Sequence, residues 1–224
     1  GGGGGGCGGG EIGALRHSER LTRALYVFVV VPACLWCVIV VGDVLVARAS
    51  DDGSTLPYLG KLVAIELDET GSVALDMRWY YRPEETQEGR QFHHGKKEVF
   101  SSNPYDRVYV ESIECKALVL GLDHYHELHQ RLAAHSRELV QEGVSADHVY
   151  FCRQHYRTDT NTFAPALDVY CSCKRPCNPD KLMIACDACD DWIHGECAGL
   201  DDKGIAALDN YVCDACKSKK ANAS

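Results

Sequence analysis

Eight metal-ligating side chains fall within residues 171–216: Cys171, Cys173, Cys186, Cys189, His194, Cys197, Cys213 and Cys216. In order they read C-x-C, C-x-x-C, H-x-x-C and C-x-x-C. No other stretch limits so tightly what the chain can fold into. Zinc takes four thiolate or imidazole ligands in a tetrahedron and imposes no geometry of its own, so eight such ligands define two sites. Two wirings satisfy the count. The ligand pairs fill the sites one after the other, or they alternate, with the first and third pairs on one ion and the second and fourth on the other. In either wiring each site has a fourth protein ligand. Both are therefore closed, structural sites rather than catalytic ones with an open position. A domain this small buries too little apolar surface to fold unaided, and metal binding supplies much of its folding energy.

The chain has 224 residues, enough for one or two domains. It has 13 cysteines, and seven of them join His194 in the metal pattern. Cys177 lies inside the finger but outside that pattern. Cys7, Cys34, Cys37, Cys115 and Cys152 lie outside the finger with no evident pairing. Such cysteines beside a zinc pattern favour a reducing compartment over a secreted disulfide framework. The net charge of -9 argues against a protein that coats DNA, which would need a basic face. The finger itself carries nine acidic against four basic side chains, a net -5. An acidic module suits a basic peptide and repels nucleic acid.

The sequence opens on Gly1 rather than Met, which marks a fragment, a processed product or an imperfect gene reading. Residues 1–10 are glycine broken only by Cys7, and such a run is expected to be disordered. Residues 24–41 are an uncharged apolar run of 18, preceded by Arg16, Arg20 and Arg23. Its length just reaches that of a membrane-spanning helix. The basic flank, with Ala47-Arg48-Ala49, also fits a signal peptide. Pro32 and the valine content fit a buried strand instead, or sequence foreign to the native protein.

From residue 42 the pattern turns to short β-type runs. Residues 43–47, 58–67, 73–81, 98–100 and 108–120 are candidate strands, separated by turn-rich pieces at 51–54 and 68–71. This spacing predicts a small barrel. Leu122, Tyr125, Leu128, Leu132 and Leu139 lie mostly at helical spacing, and Gly143 is a stop signal. His124, His126, His129 and His135 fall on that helix, read as a solvated polar face. Strand character returns at 148–153, and 158–164 reads as a linker. Strand alternation projects Trp79 and Tyr81 to one face, either as core or as a binding surface. Glu84 and Glu85 would face opposite sides, so they form no carboxylate dyad. No nucleophile–base motif or phosphate loop occurs.

Four cysteines, one histidine and three cysteines, with Trp192 two residues before His194 and a closing Tyr211-Val212-Cys213-Asp214-Ala215-Cys216, resemble the PHD finger over residues 169–216. A RING-type finger is the rival, but ligand order and Trp192 fit PHD better. The resemblance implies the alternating wiring: Cys171, Cys173, His194 and Cys197 on one zinc, Cys186, Cys189, Cys213 and Cys216 on the other. It also implies binding of the N-terminal tail of histone H3, with residues 181–185 offering a strand edge. Methyl-lysine needs an aromatic cage, because ring quadrupoles attract the diffuse cation. The family's cage positions fall on Tyr170, Cys177, Met183 and Trp192. Cys177 departs from the pattern, since readers of trimethyl-lysine usually carry a ring there, so the site rests on Tyr170, Met183 and Trp192. Core packing is the other reading of Trp192.

Arg78-Trp79-Tyr80-Tyr81-Arg82-Pro83-Glu84-Glu85, then Gly95-Lys96-Lys97-Glu98-Val99-Phe100 and Tyr150-Phe151-Cys152-Arg153, resemble the BAH domain. Gly42-Asp43-Val44-Leu45-Val46 matches its opening strand and Pro57-Tyr58-Leu59-Gly60-Lys61-Leu62 its second. The succession resembles the compact plant chromatin readers of the Early Bolting in Short Days and Short Life type. That resemblance implies H3K27me3 binding by the BAH domain and H3K4me2 or H3K4me3 binding by the finger. The BAH cage maps onto Tyr58, Trp79 and Tyr81. A nearby His-x-Asp element maps onto Pro104-Tyr105-Asp106, keeping Asp106 and losing the histidine.

The expected protein is mainly β. An N-terminal segment (1–41) precedes a BAH-type small β-barrel with a helical insertion (42–163). A zinc-stabilised PHD finger (169–216) and a basic tail (217–224) follow. It is a non-enzymatic nuclear reader of the H3 tail, acting in chromatin regulation of transcription, with two structural Zn2+ ions and no direct nucleic-acid partner. The rivals are a membrane-anchored zinc-finger ubiquitin ligase, with 24–41 as its anchor, and a scaffold indifferent to methylation.

Overall fold

The computed structural model describes residues 26–31, 34–49, 56–134 and 144–221. They form two units. The first comprises the chain up to Arg82 together with Val99–Phe163, and the second comprises Pro83–Glu98 and the chain from Ala164 onward. The glycine run at 1–10, Leu139 and Gly143 lie outside the described residues.

In the first unit, β1 (Tyr26–Val31) and β2 (Cys34–Val40) pair as an antiparallel hairpin, with Tyr26 opposite Val40. These strands take up most of the apolar run at 24–41. Its valines are β-branched and favour a pleated sheet. Among the described residues no helix is long and apolar enough to cross a membrane. The described part of the run is strand rather than helix, with Ile39 buried and Val38, Val40 and Val41 exposed.

Eight further strands make one sheet: β3 (Val44–Ala47), β4 (Tyr58–Leu67), β5 (Val73–Tyr81), β6 (Phe100–Tyr109), β7 (Ile113–Leu120), β8 (Val149–Phe151), β9 (His155–Arg157) and β10 (Thr162–Ala164). Their spatial order is β10-β9-β6-β5-β4-β3-β7-β8. Both sheet faces are buried near β3. Leu45 and Ala47 join Leu62, Leu75 and Met77 in one apolar cluster, while Val46 joins Leu59, Val99 and Cys115 in another. A strand covered on both faces needs no polar alternation, which explains the continuous apolar run at 44–47. The β4–β5 hairpin closes where the Asp68 carboxylate accepts from the Thr70 and Ser72 backbone N–H groups at 2.8 and 2.9 Å.

The strand expected over 108–120 is two strands. β6 runs to Tyr109, one turn of tight helix follows at Val110–Ser112, and β7 begins at Ile113. β6 also passes through Pro104, which the sequence reading left out of any strand. The ladder with β5 shifts between the pairs Arg78–Tyr105 and Tyr80–Ser101, and a proline is admitted at such an irregularity because its missing N–H is not called on. β10 likewise falls inside the stretch read as a linker.

The helical insertion is α1 (Leu122–Ala134). Tyr125 is its buried contact, lying 4.9 Å from Phe151 beside Val144 and Val149. His124, His126 and His129 are exposed, as a solvated face requires, and His135 lies outside the described residues.

The second unit holds two short hairpins, β11 (Val169–Tyr170) with β12 (Arg175–Pro176) and β13 (Met183–Ala185) with β14 (Trp192–His194). Two helices follow, α2 (Asp202–Ala206) and α3 (Asp214–Ala221). Asp201 caps α2 by accepting from the Gly204 N–H at 2.7 Å. The buried cluster of this unit is Cys186, Ile193 and Cys213.

Candidate zinc centres and methyl-lysine surfaces

The fold sorts the eight ligands into two sets. Cys171, Cys173, His194 and Cys197 form one, and Cys186, Cys189, Cys213 and Cys216 form the other, with ligand atoms within 4.8 Å of one another in each. This is the alternating wiring. Local turns shape each knuckle, and a long-range tie brings two of them together. The Asp190 N–H donates to the Cys186 carbonyl at 2.8 Å and the Cys216 N–H to the Cys213 carbonyl at 3.0 Å, folding each C-x-x-C into a tight knuckle. Asp187 then ties the knuckles together. Its N–H donates to the Tyr211 carbonyl at 2.8 Å, and its carboxylate accepts from the Tyr211 N–H at 2.6 Å.

The donor chemistry fits zinc. His194 is buried, and its Nε2 lies 3.1 Å from the Pro176 carbonyl, which fixes the proton there. Its Nδ1 is left for the metal, 3.3 Å from Cys173 Sγ. Burial works to raise the Cys171 thiol, but hydrogen bonds from the Cys173 N–H and from Ser172, His194 and Cys197 bring it down to about 6. The Cys186 thiol is held at about 6, first by the Cys213 N–H. In the set that holds Cys171, burial pushes the Cys197 thiol up to about 11, so the thiols of a site favour the ionised form together only with a cation among them. Gly195 follows His194 because a Cβ there would stand 2.7 Å from Ile205 Cδ1 and 2.9 Å from the Leu200 carbonyl oxygen. The residues present fit two structural zinc ions with four protein ligands each.

Residues 83–98 support the histidine-bearing site, and sequence reasoning missed them. The Asn178 amide donates to the Phe92 and His94 carbonyls at 2.7 and 3.3 Å. The Asp180 carboxylate accepts from the Lys96 N–H at 2.6 Å. The Phe92 ring meets His194 edge-on at 5.6 Å, with the Arg175 guanidinium over it at 5.2 Å. Phe92 therefore helps to keep water from a metal ligand.

On the finger, Met183 pairs with His194 and Ala185 with Trp192, so Met183 and Trp192 lie on one face of the β13–β14 hairpin. Trp192 is 50% exposed, while its neighbour Ile193 is buried. Tyr170 and Trp192 line a common cavity of about 360 Å³ with Asp190 and Asp191. Met183 and Cys177 are not among its lining residues, and Cys177 is half-buried.

On the sheet, Trp79 stands opposite Gly60 and Tyr80 opposite Leu59, and Tyr58 and Tyr81 lie two residues from Gly60 and Trp79 along their own strands, back on the same face. The three expected aromatics therefore share a face at the rim of the core. The Tyr58 and Trp79 rings lie 5.6 Å apart, and Tyr58 is 47% exposed. The Tyr81 ring meets Tyr156 edge-on at 5.5 Å. Asp106 is exposed opposite Met77, and its carboxylate accepts from the Arg107 N–H at 2.8 Å.

Two supporting residues on the sheet were also missed. A Cβ on Gly60 would stand 2.9 Å from Trp79 Cε3, so this glycine makes room for the indole. Buried Ser102 donates its hydroxyl to the Trp79 carbonyl at 2.7 Å. A glycine inside a strand is itself a sign of close approach, and Gly60 was legible on that ground.

A sheet domain with an aromatic rim, followed at once by a cross-wired two-zinc finger, defines a protein of the BAH–PHD class. Residues 38–166 match the BAH domain and residues 171–216 the PHD-finger. The chain belongs to the BAH–PHD family that includes two Arabidopsis thaliana proteins. It is 38% identical over 178 residues to "Chromatin remodeling protein EBS", covering 79% of this chain and 70% of that one. To "Chromatin remodeling protein SHL" it is 36% identical over 183 residues, covering 81% and 74%. The solved yeast Rsc2 BAH domain aligns with a TM-score of 0.43 at 22% identity, over 62% of this chain and 53% of that one.

Proposed function

We propose that this protein is a non-enzymatic nuclear reader of the methylated histone H3 tail. The sheet domain takes H3K27me3 through Tyr58, Trp79 and Tyr81, with Asp106 beside them. The finger takes H3K4me2 or H3K4me3 through Tyr170, Met183 and Trp192, and the whole acts in chromatin regulation of transcription. One observation carries the reading: Tyr58 and Trp79 meet at 5.6 Å on the core's rim, with Tyr58 left 47% exposed. Burying both rings would stabilise the sheet more. Rings held half-open beside each other suit a quaternary ammonium, whose attraction to each ring is about 0.5–2 kcal/mol. The half-exposed Trp192 supports the finger's part in the same way. The names of the two Arabidopsis relatives place those proteins on chromatin, and this chain shares their domain order.

Calorimetric titration of the full chain with an H3K27me3 peptide tests the reading. Trp79→Ala is expected to abolish binding with zinc content unchanged, at some cost in thermal stability because the indole packs against the core cluster. Tyr58→Ala, which removes a ring 47% exposed, is expected to weaken binding with thermal unfolding close to wild type. Gly60→Ala is expected to weaken binding by pushing the indole aside. Unchanged affinity in Trp79→Ala would sink the cage assignment. Capture of H3 peptides regardless of methylation would favour the scaffold reading.

A further inference from the structure

A second cavity in the zinc unit, of about 290 Å³, opens at the end of the β13–β14 hairpin. Its apolar lining is Phe92, Leu182 and Leu200, and its acidic lining is Glu196, Asp201 and Asp202. The size sits at the bottom of the range for small-molecule pockets, about 300–1,000 Å³, and suits one long side chain better than a cofactor. Leu182 is 49% exposed, an apolar lip facing solvent.

The charges at this mouth are unbalanced. Lys181 also lines the cavity, giving three carboxylates against one ammonium, a net -2. Lys181 pairs with Glu196. Asp201 is committed to the α2 cap. Asp202 gives one oxygen, Oδ1, to the Leu182 N–H at 3.2 Å, and its second oxygen is the better placed to take a new donor.

The cavity also continues the peptide surface. β13 and β14 form a two-stranded sheet, so among the described residues β13 has one edge without a strand partner. Met183, a cage position, begins β13, and Leu182 and Lys181 come directly before it. A peptide strand laid antiparallel on β13 sends the residues after its methyl-lysine past Met183, away from Ala185 and towards the cavity.

We propose that this cavity receives an arginine of the bound peptide lying a few residues beyond the methyl-lysine. Its aliphatic stem rests on Leu182, Leu200 and Phe92, and its guanidinium meets Asp202 and Glu196. Arginine fits better than lysine because its planar fork engages two carboxylates at once. The inference rests on the finger's reading of a methylated H3 tail and adds a second anchor to it.

The test uses the full, zinc-loaded chain and two H3 N-terminal peptides trimethylated at lysine 4. One ends two residues after that lysine, and the other extends past the arginine four residues after it. The longer peptide is expected to bind about fivefold tighter, the scale of a solvent-exposed ion pair. Replacing its arginine by alanine should erase the gain, and so should the double variant Asp202→Asn, Glu196→Gln with zinc content unchanged. Equal affinities for the two peptides, or a gain that survives both substitutions, would overturn the proposal while leaving methyl-lysine reading intact. Failure of both peptides to bind would overturn that reading and this one together.

Discussion

In the first unit the side chains that hold the fold are Leu45, Leu62, Leu75, Met77 and Phe100, all fully buried. In the second, two of the three members of the buried cluster, Cys186 and Cys213, belong to a four-cysteine set that could hold a zinc ion. One unit rests on apolar surface removed from water on two sheet faces. The other has little such surface and rests on metal. Stability in the first is spread over many buried side chains, each worth about 1.5–3 kcal/mol. In the second it is concentrated at two points.

The sharpest way to break this contrast is to remove zinc. Structural zinc contributes about 10–16 kcal/mol in finger peptides. A strong chelator is expected to strip amide-exchange protection from the second unit, residues 83–98 included, and to leave β3–β7 protected. Simultaneous loss in both units would show that they do not differ in this way. Leu75→Ala comes next. It should cost the first unit about 2–5 kcal/mol in denaturant unfolding and leave two zinc ions per chain by metal analysis. Asn178→Ala removes the donor to the Phe92 and His94 carbonyls. A cost of about 1–3 kcal/mol is expected, confined to the second unit and seen as faster exchange near residue 94.

Arg107→Ala should have the smallest effect. Arg107 bridges Asp76 and Glu66 on the exposed sheet surface at 2.8 and 2.6 Å, and such pairs are worth about 0–1 kcal/mol. The Arg107 hydrogen bond holds the Asp76 carboxyl below its ordinary 3.8. A depressed folded-state value stabilises above the unfolded-state pKa and ceases to as pH falls through the depressed one. The difference between wild type and variant is therefore expected near neutral pH and should vanish in strong acid. A difference that grew on acidification would refute the Asp76 linkage.

The zinc ligands were legible because their spacing is local: each knuckle closes within four residues. Their partnering was not, because spacing alone fits either wiring, and the Asp187–Tyr211 tie that joins the knuckles spans a long stretch of chain. Trp79 and Tyr81 were legible as a face by alternation along one strand. Placing Tyr58 beside them needed the β4–β5 register, which the BAH resemblance supplied and composition did not. The break between β6 and β7 was missed because residues 108–120 stay apolar enough to read as one strand, and Pro104 argued against strand where the ladder shifts. Phe92 gave no signal at all. An aromatic in a polar loop looks like any other, and Asn178, which holds its backbone, lies 86 residues away.

The discontinuity of the zinc unit bears on how such a protein can be cut and recombined. A boundary drawn from the ligand pattern would start the finger near residue 169. A cassette moved to another protein at that point would leave Phe92 and the partners of Asn178 and Asp180 behind. Gene duplication or engineering that shuffles this finger alone would have to replace those contacts. Tandem inheritance of the two modules needs no such repair, and the interrupted unit gives a structural reason for them to travel together.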